Sequence, residues 1–372
     1  MKRPVRDEKH HERRFGVRPL HIAALAAFGL FSGCASSTPT APSPPESVVL
    51  LPTDIEDGRG RFREIFCAVL EARGASLPDA RPCEEALTRV GEEPPATKVP
   101  VELGQSNRHL VAAVVPGVGW GCFVRWLDLE GTAVDHVRRF GYDLIPIVVD
   151  ALSGSANNAR QIRDWIMAMD PLDDEPQLVL VGYSKGSPDI LEAIVTYPEI
   201  RGRVAAVVSV AGAVRGSPVA EEVTQSQLEL LRHWPESDCS PGDGEALKSL
   251  RPAVRIAWLA GHTLPSEVPL YSLVTLPDPD RVSSILKPTY RQLRHDHPNN
   301  DGMMAADDQI IPGSTLLGFV NADHWAVAVP IARSHPNIAA LFVDDNDFPR
   351  EALLEAVLRF VEEDLTHRRA LP

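Results

Sequence analysis

A serine stands between two glycines in Gly182-Tyr183-Ser184-Lys185-Gly186, directly after an apolar run at residues 177–181 and before a helix-like stretch at residues 188–196. Two glycines let the backbone turn sharply from a strand into a helix without a Cβ clash, which leaves the Ser184 hydroxyl exposed at the carboxyl edge of a sheet. The backbone N–H of Lys185, near the start of the helix, can then point at an oxyanion. The pattern predicts a nucleophilic serine, and an ordinary glycine-containing turn is the alternative interpretation.

A serine hydroxyl needs a general base near neutral pH, and histidine titrates in that range. Among the twelve histidines, His324 follows an apolar run at residues 315–320 that has the pattern of a last strand. This position places His324 at the same sheet edge as Ser184, and we predict that it is the base. His295 and His297 lie in a polar loop before that strand, where histidines are more often solvated than bound to a metal ion.

The imidazole in turn needs a carboxylate that fixes its tautomer and stabilises its charged form. Asp301 lies between Ser184 and His324 in the chain, and we predict that it is this carboxylate. Asp308, and with less weight Asp307, remain alternatives because they are only a turn or two further along. Asp323 adjoins the histidine, but on an extended backbone its side chain would point away from the imidazole.

A second backbone donor for the oxyanion should come from the turn after the first core strand. That turn is Pro116-Gly117-Val118-Gly119-Trp120-Gly121, whose glycines let the backbone approach a substrate. The N–H of Val118 is the first candidate and that of Gly119 the second, beside the N–H of Lys185. An ordinary glycine-rich turn is the alternative interpretation. Such chemistry needs no metal ion and no organic cofactor, and we expect neither.

Alternating apolar runs and helix-like stretches must position these residues. Strand-like runs lie at residues 110–115, 144–149, 177–181, 204–210, 270–276 and 315–320. Helix-like stretches lie at residues 122–139, 157–169, 188–196 and 351–362. Strands that are apolar on both faces and alternate with helices predict an α/β fold with a doubly wound, mainly parallel sheet. The alternation stops at about residues 213–253, which predicts an inserted cap.

The first 33 residues have the pattern of an export signal, because a basic polar stretch precedes an apolar run at residues 22–31 that is too short to span a bilayer of about 30 Å. Small residues precede Cys34, as they do before the lipidated cysteine of bacterial lipoproteins. We therefore expect lipidation of Cys34 and attachment to a membrane of the bacterial cell envelope; plain secretion is the alternative. Residues 34–49 are rich in Pro and Ser, which predicts an extended tether.

Four further cysteines follow in the chain, Cys67, Cys83, Cys122 and Cys239. An even number in an exported protein suggests disulfides, for which three pairings exist. Cys67 lies in a helix-like stretch at residues 61–73, and Cys83 opens another at residues 83–90. We favour a bridge within this helical hairpin, which forms an N-terminal extension at residues 50–105. The other two cysteines would then tie the core to the insertion. No pair has CxxC spacing, so a zinc site is not expected.

The 372 residues are 44% hydrophobic and 24% charged, which supports a large folded core. The formal net charge is −14. Because an acidic surface repels phosphates, nucleic-acid binding is excluded. The main domain is expected at residues 106–372.

Taken together, these residues resemble the α/β-hydrolase superfamily on its lipase and esterase side. The Ser184 pentapeptide resembles the nucleophile elbow, Asn300-Asp301-Gly302 the acid turn of bacterial lipases, and Ala322-Asp323-His324-Trp325-Ala326 the histidine loop. The similarity covers roughly residues 106–368 and implies an α/β-hydrolase fold.

The resemblance implies hydrolysis of a carboxylic ester through an acyl-enzyme, with an acyl ester or a lipid as substrate. The insertion and residues 277–300 would form a lid and a substrate pocket. Residues 223–231 would form one cap helix, and Trp234 and Trp258 would line an acyl site. Alternatives are a thioesterase, acyltransferase or peptidase with the same triad, or an inactive envelope lipoprotein that only binds. The oligomeric state is left open.

Overall fold

The computed structural model describes residues 54–123, 132–170, 177–224, 226–227, 240–334, 336 and 343–370. The predicted export signal, Cys34 and the tether lie outside the described residues. All described residues belong to one unit, residues 44–372.

Eight strands form one sheet at the centre of this unit. In chain order they are β1 Glu56–Asp57, β2 Leu87–Thr88, β3 Val111–Val115, β4 Asp143–Pro146, β5 Leu178–Tyr183, β6 Val204–Val210, β7 Leu270–Thr275 and β8 Thr315–Val320. Their spatial order is β1-β8-β7-β6-β5-β3-β4, with β2 also paired to β8. The β2–β8 pair is antiparallel and the other pairs are parallel. The predicted mainly parallel α/β sheet is confirmed.

Helices cover both faces of the sheet. They are α1 Arg59–Arg73, α2 Cys83–Ala86, α3 Thr132–Arg138, α4 Ser155–Ala168, α5 Gly186–Thr196, α6 Val219–Glu222, α7 Ala246–Ser249, α8 Pro252–Gly261, α9 Lys287–Leu293, α10 Ile331–Ser334 and α11 Arg350–Ala370. Apolar side chains of α1, α3 and α11 pack into one cluster on the first face, and those of α4, α5 and α8 pack into a second cluster on the other face. None of the helices in the described part is long and apolar enough to cross a membrane.

The strands that end near the predicted site residues are buried on both faces. Every residue of β5, β7 and β8 is buried. This burial explains why these strands have continuous apolar sequences rather than alternating ones. Because β5, β7 and β8 run parallel, their carboxyl ends lie at one edge of the sheet, where the predicted catalytic side chains follow them.

The N-terminal extension differs from the predicted helical hairpin. The second helix is only the four-residue α2, and the chain continues as β2 because Leu87 and Thr88 pair with Val320 and Phe319 of β8. The predicted helix at residues 83–90 is therefore wrong, because residues 87–88 pair with β8 instead.

The predicted disulfide between Cys67 and Cys83 is confirmed. Cys122 is disulfide-bonded as well. Its predicted partner, Cys239, lies outside the described residues, and that pairing stays a prediction. The predicted insertion contains α6 and α7, whereas Trp234 and most of the predicted cap helix at residues 223–231 lie outside the described residues.

Candidate active site

Ser184 occupies a strained turn between β5 and α5. Its backbone φ is +54°, a left-handed conformation that is uncommon for a residue with a Cβ. A Cβ at Gly186 would lie 2.0 Å from the Val115 carbonyl oxygen, and one at Gly182 would lie 2.5 Å from Ser187 Cα. Glycine is therefore required on both sides of the serine, which is the physical basis of the G-x-S-x-G pattern in this chain.

The structure brings Ser184, His324 and Asp301 together in one line of hydrogen bonds. Ser184 Oγ lies 3.0 Å from His324 Nε2, and His324 Nδ1 lies 2.8 Å from Asp301 Oδ2. The carboxylate can only accept, so the ring proton belongs on Nδ1 and Nε2 is left to accept the serine proton. This arrangement has the geometry that a serine nucleophile and its base require.

The carboxylate of Asp301 is fully buried and held by several donors. Its Oδ1 accepts the backbone N–H groups of Met303 at 2.9 Å and Met304 at 2.8 Å. Its Oδ2 accepts the hydroxyl of Thr275 at 2.6 Å, at the end of β7. Thr275 was not among the predicted residues, since no local sequence pattern marks a hydroxyl that meets a carboxylate 26 residues away.

The alternative acids occupy other places. The main-chain oxygen of Asp308 accepts the N–H of Arg215 at 2.9 Å, and burial raises the pKa of the Asp308 carboxyl. The Asp323 carboxylate accepts the backbone N–H groups of Ser283 and Ala326, each at 2.8 Å, and therefore points away from the imidazole. Burial raises the pKa of Asp323 against the effect of these bonds. The structure thus places Asp301 at the imidazole.

Tyr183, the residue before the nucleophile, holds the histidine backbone. Its hydroxyl donates to the His324 carbonyl oxygen at 2.7 Å, and the two rings stack with centroids 5.4 Å apart. Burial, together with the nearby charge of Asp301, raises the pKa of Tyr183 well above its ordinary value, so the hydroxyl stays a donor. The His324 N–H donates to the Asp301 carbonyl oxygen at 3.1 Å.

The turn after β3 passes directly over the nucleophile. A Cβ at Gly117 would lie 3.0 Å from Ser184 Cβ and 3.4 Å from its Oγ. The N–H of Gly119 donates to the Ala151 carbonyl oxygen at 3.1 Å, which removes it as an oxyanion donor. Within the described ranges, no backbone carbonyl accepts the N–H of Val118 or of Lys185. Of the three predicted donors, Val118 and Lys185 are therefore the two whose N–H groups are not bonded to a backbone carbonyl in the described part of the chain.

The Lys185 side chain is turned away from solvent. Its ammonium group contacts both carboxylate oxygens of Asp189, at 2.8 and 2.7 Å, and Asn158 donates to the same carboxylate at 2.7 Å. The Lys185 side chain is 1% exposed, so this charge anchors the turn and is not presented to a substrate. The sequence pattern indicated only the backbone of Lys185.

Two further predicted features have simpler roles. The His295 side chain is 87% exposed and contacts Asp296. No group of three or more metal-binding side chains occurs among the residues that the structure describes. Trp258 is a half-buried residue of α8 that packs against the apolar cluster under α4 and α5, so its assignment to an acyl site was wrong.

A mainly parallel sheet whose fifth strand leads into a left-handed serine, with a histidine and an aspartate aligned behind it, defines an α/β-hydrolase. The structure is similar to the crystal structure of a metagenomic carboxyl esterase, with 41% sequence identity over 93% of this chain and 100% of that chain and a TM-score of 0.79. The chain belongs to the same family as this carboxyl esterase and has the α/β-hydrolase fold.

More distant structures share the fold. The lipase of Staphylococcus hyicus is 12% identical, with a TM-score of 0.50, over 72% of this chain and 99% of that chain. EstA from Clostridium botulinum is 11% identical, with a TM-score of 0.50, over 81% of this chain and 97% of that chain. No protein-family model matches the sequence. No curated protein matches it either.

Proposed function

We propose that this protein is a serine hydrolase that cleaves carboxylic esters through an acyl-enzyme on Ser184. The observation that carries the proposal is the line of hydrogen bonds from Asp301 through His324 to Ser184 Oγ. The similarity to a carboxyl esterase supports the choice of an ester as substrate.

In the acylation step, Ser184 Oγ attacks the ester carbonyl carbon while its proton moves to His324 Nε2. The carbonyl oxygen becomes an oxyanion that accepts the N–H groups of Val118 and Lys185. Asp301 holds the ring and stabilises the imidazolium. When the intermediate collapses, the bond to the alcohol oxygen breaks and the alcohol leaves with the proton from Nε2.

In the deacylation step, a water molecule takes the place of the alcohol. His324 Nε2 accepts a proton from this water, whose oxygen attacks the acyl carbon. The bond between the acyl carbon and Ser184 Oγ then breaks, and the serine regains its proton from the imidazolium. The products are a carboxylic acid and the free enzyme.

Apolar side chains beside the triad favour an acyl substrate. Half-buried Val118 and Met303 pack against one cluster of buried side chains, Ala213, Ala220, Leu250 and Met304. Met303 and half-buried Trp325 pack against another cluster, Val282, Leu286 and Tyr290. Val118 lies in the turn after β3, Met303 lies two residues after the acid, and Trp325 directly follows the base. This placement supports our proposal that the acyl chain of an ester binds against these apolar surfaces.

Ser184→Ala tests the proposal. We expect a fluorophosphonate probe to label the wild-type protein and not the variant, and we expect kcat on nitrophenyl esters to fall by at least about 10⁴-fold. Ser266→Ala, a change at an exposed loop serine, is the matched control and should keep full activity. Hydrolysis that persists in Ser184→Ala would contradict the proposal.

A substrate panel separates the alternatives that share this triad. Short-chain and long-chain nitrophenyl esters should be turned over with a higher kcat/KM than matched thioesters and peptides. A higher kcat/KM on thioesters would favour a thioesterase. Absence of both probe labelling and turnover of any substrate would favour a binding protein.

A further inference from the structure

The segment at residues 81–88, named here the N-terminal clamp, contacts the chain immediately before the histidine loop. Leu87 and Thr88 of the clamp form an antiparallel pair with Val320 and Phe319 at the end of β8. The hydroxyl of Thr88 also donates to the Leu276 carbonyl oxygen at 2.8 Å, just beyond β7. The clamp therefore lies at the ends of the two strands that lead to the acid and the base.

Both backbone groups of Asn321, three residues before His324, are held by the clamp. The Asn321 N–H donates to the Ala86 carbonyl oxygen at 2.9 Å. The Asn321 carbonyl oxygen accepts Arg81 Nη1 at 3.2 Å. A residue bonded at both its donor and its acceptor cannot shift without breaking a hydrogen bond, so the start of the histidine loop is fixed from this side.

The clamp is itself anchored to the body of the molecule. A disulfide joins Cys83 to Cys67 of α1. The Arg81 guanidinium also donates to the Asp347 carbonyl oxygen and lies 5.4 Å from the centre of the Phe348 ring. Its side chain is only 7% exposed. The covalent link and the buried guanidinium make the clamp a rigid support.

The opposite end of the loop is held by the triad residues and their neighbours, since His324 bonds through its N–H to Asp301 and through its carbonyl to Tyr183. The clamp supplies the other fixed end. A misplacement of about 1 Å in such a site can cost about 10²-fold in rate, so support at both ends bears on catalysis.

We propose that the N-terminal clamp positions His324 for proton transfer, with Arg81 as the positioning residue. This inference rests on the proposed ester hydrolysis. The extension at residues 50–105 would then contribute to catalysis by positioning the base.

Arg81→Met tests the proposal, because it removes the donor to Asn321 and keeps a side chain of similar length. We expect kcat on a short-chain nitrophenyl ester to fall about tenfold, while KM changes less than about twofold. Arg81→Lys, whose single ammonium group can still donate to the Asn321 carbonyl oxygen, should recover kcat to within about threefold of wild type. Arg89→Met is the matched control, because the exposed Arg89 pairs only with Glu84 and Glu93 among the described contacts.

Hydrogen exchange gives a readout that does not depend on turnover. Peptides covering residues 319–326 should exchange faster in Arg81→Met than in wild type and in Arg89→Met. A double variant, Cys67→Ser with Cys83→Ser, removes the disulfide and leaves Arg81 unchanged. The same peptides should also exchange faster in this variant than in wild type.

Unchanged kcat together with unchanged exchange in Arg81→Met would overturn the inference. A lower Tm with wild-type kcat and exchange well below that Tm would also overturn it, since the clamp would then be only a structural support. If the wild-type protein cleaved no ester, the proposed function would fail, and exchange at residues 319–326 would still decide whether the clamp holds the loop.

Discussion

The carboxylate of Asp301 has a defined orientation because its two oxygens accept different partners. The amides of Met303 and Met304 hold one oxygen, and Thr275 and the imidazole share the other. An imidazole that bonds to such a carboxylate is kept in one tautomer, with Nε2 free to accept. The orientation of the acid therefore determines whether the serine can be deprotonated.

Asp301→Asn should lower kcat about 10³- to 10⁴-fold, because an amide can donate to Nδ1 and so favour the wrong tautomer. Asp308→Asn is the matched control, because it makes the same replacement at the alternative acid, and it should leave kcat within about threefold of wild type. The measurement is steady-state kinetics on one ester, with circular dichroism to verify folding. A larger loss in Asp308→Asn would show that the acid is misassigned.

The meeting of Ser184, Asp301 and His324 could be predicted because each follows a strand, in the order serine, aspartate, histidine. Their supporting partners could not be predicted. Thr275 and Tyr183 act through hydrogen bonds to residues that are far apart in sequence, and such pairs leave no local periodicity. The same limit applies to the buried pair of Lys185 and Asp189 under the serine turn.

At the scale of elements, the serine turn depends on the close approach of α5 to the end of β3. The Cα of Gly186 faces the carbonyl of Val115 so closely that a methyl group cannot be placed between them. This contact holds the start of α5 against the end of β3, directly after Ser184.

Gly186→Ala should therefore lower the free energy of unfolding by about 3 kcal/mol and abolish probe labelling of Ser184, because the added methyl group forces α5 away from β3. Urea denaturation and fluorophosphonate labelling measure the two effects. Gly202→Ala, at a position with no neighbouring atom within 4 Å, is the matched control and should change stability by less than about 0.5 kcal/mol. Equal stability of the two variants would show that the contact is not tight.

Elements with a strong local pattern were predicted well, and elements decided by distant partners were not. Predicted strands at residues 204–210 and 315–320 match β6 and β8 in both bounds. The predicted helix at residues 83–90 is wrong, because pairing with β8 draws Leu87 and Thr88 into the sheet. The partner strand lies more than 200 residues away in sequence, so a local sequence pattern does not indicate the pairing.

At the scale of the whole molecule, the sequence pattern before Cys34 bears on where the protein is located in the cell. We propose that a lipid on Cys34 and the tether at residues 34–49 hold the hydrolase at a membrane of the bacterial envelope. Buried acyl chains contribute about 0.8 kcal/mol for each CH₂ group, so this attachment needs no spanning helix.

Cys34→Ser tests the proposed anchor. When expressed with its leader in a bacterial host, the wild-type protein should sediment with membranes and dissolve only in detergent, and the variant should stay in the soluble fraction. Immunoblots of the two fractions measure this, and Ser184→Ala, which keeps the cysteine, is the control. Wild-type protein recovered without detergent would contradict a lipid anchor.

The two ends of the described chain meet in the folded molecule, since Glu56 pairs with Thr315 and Phe62 of α1 packs against Phe360 of α11. The contacts of β1 and α1 can therefore form only after β8 and α11 have been synthesised. Contacts between residues so far apart in sequence form slowly. The histidine loop gains its second support only at this late closure. Under the proposed mechanism, a chain that is still being synthesised would contain Ser184 but lack the packing of α11 against α1, and we expect ester hydrolysis only after that packing has formed.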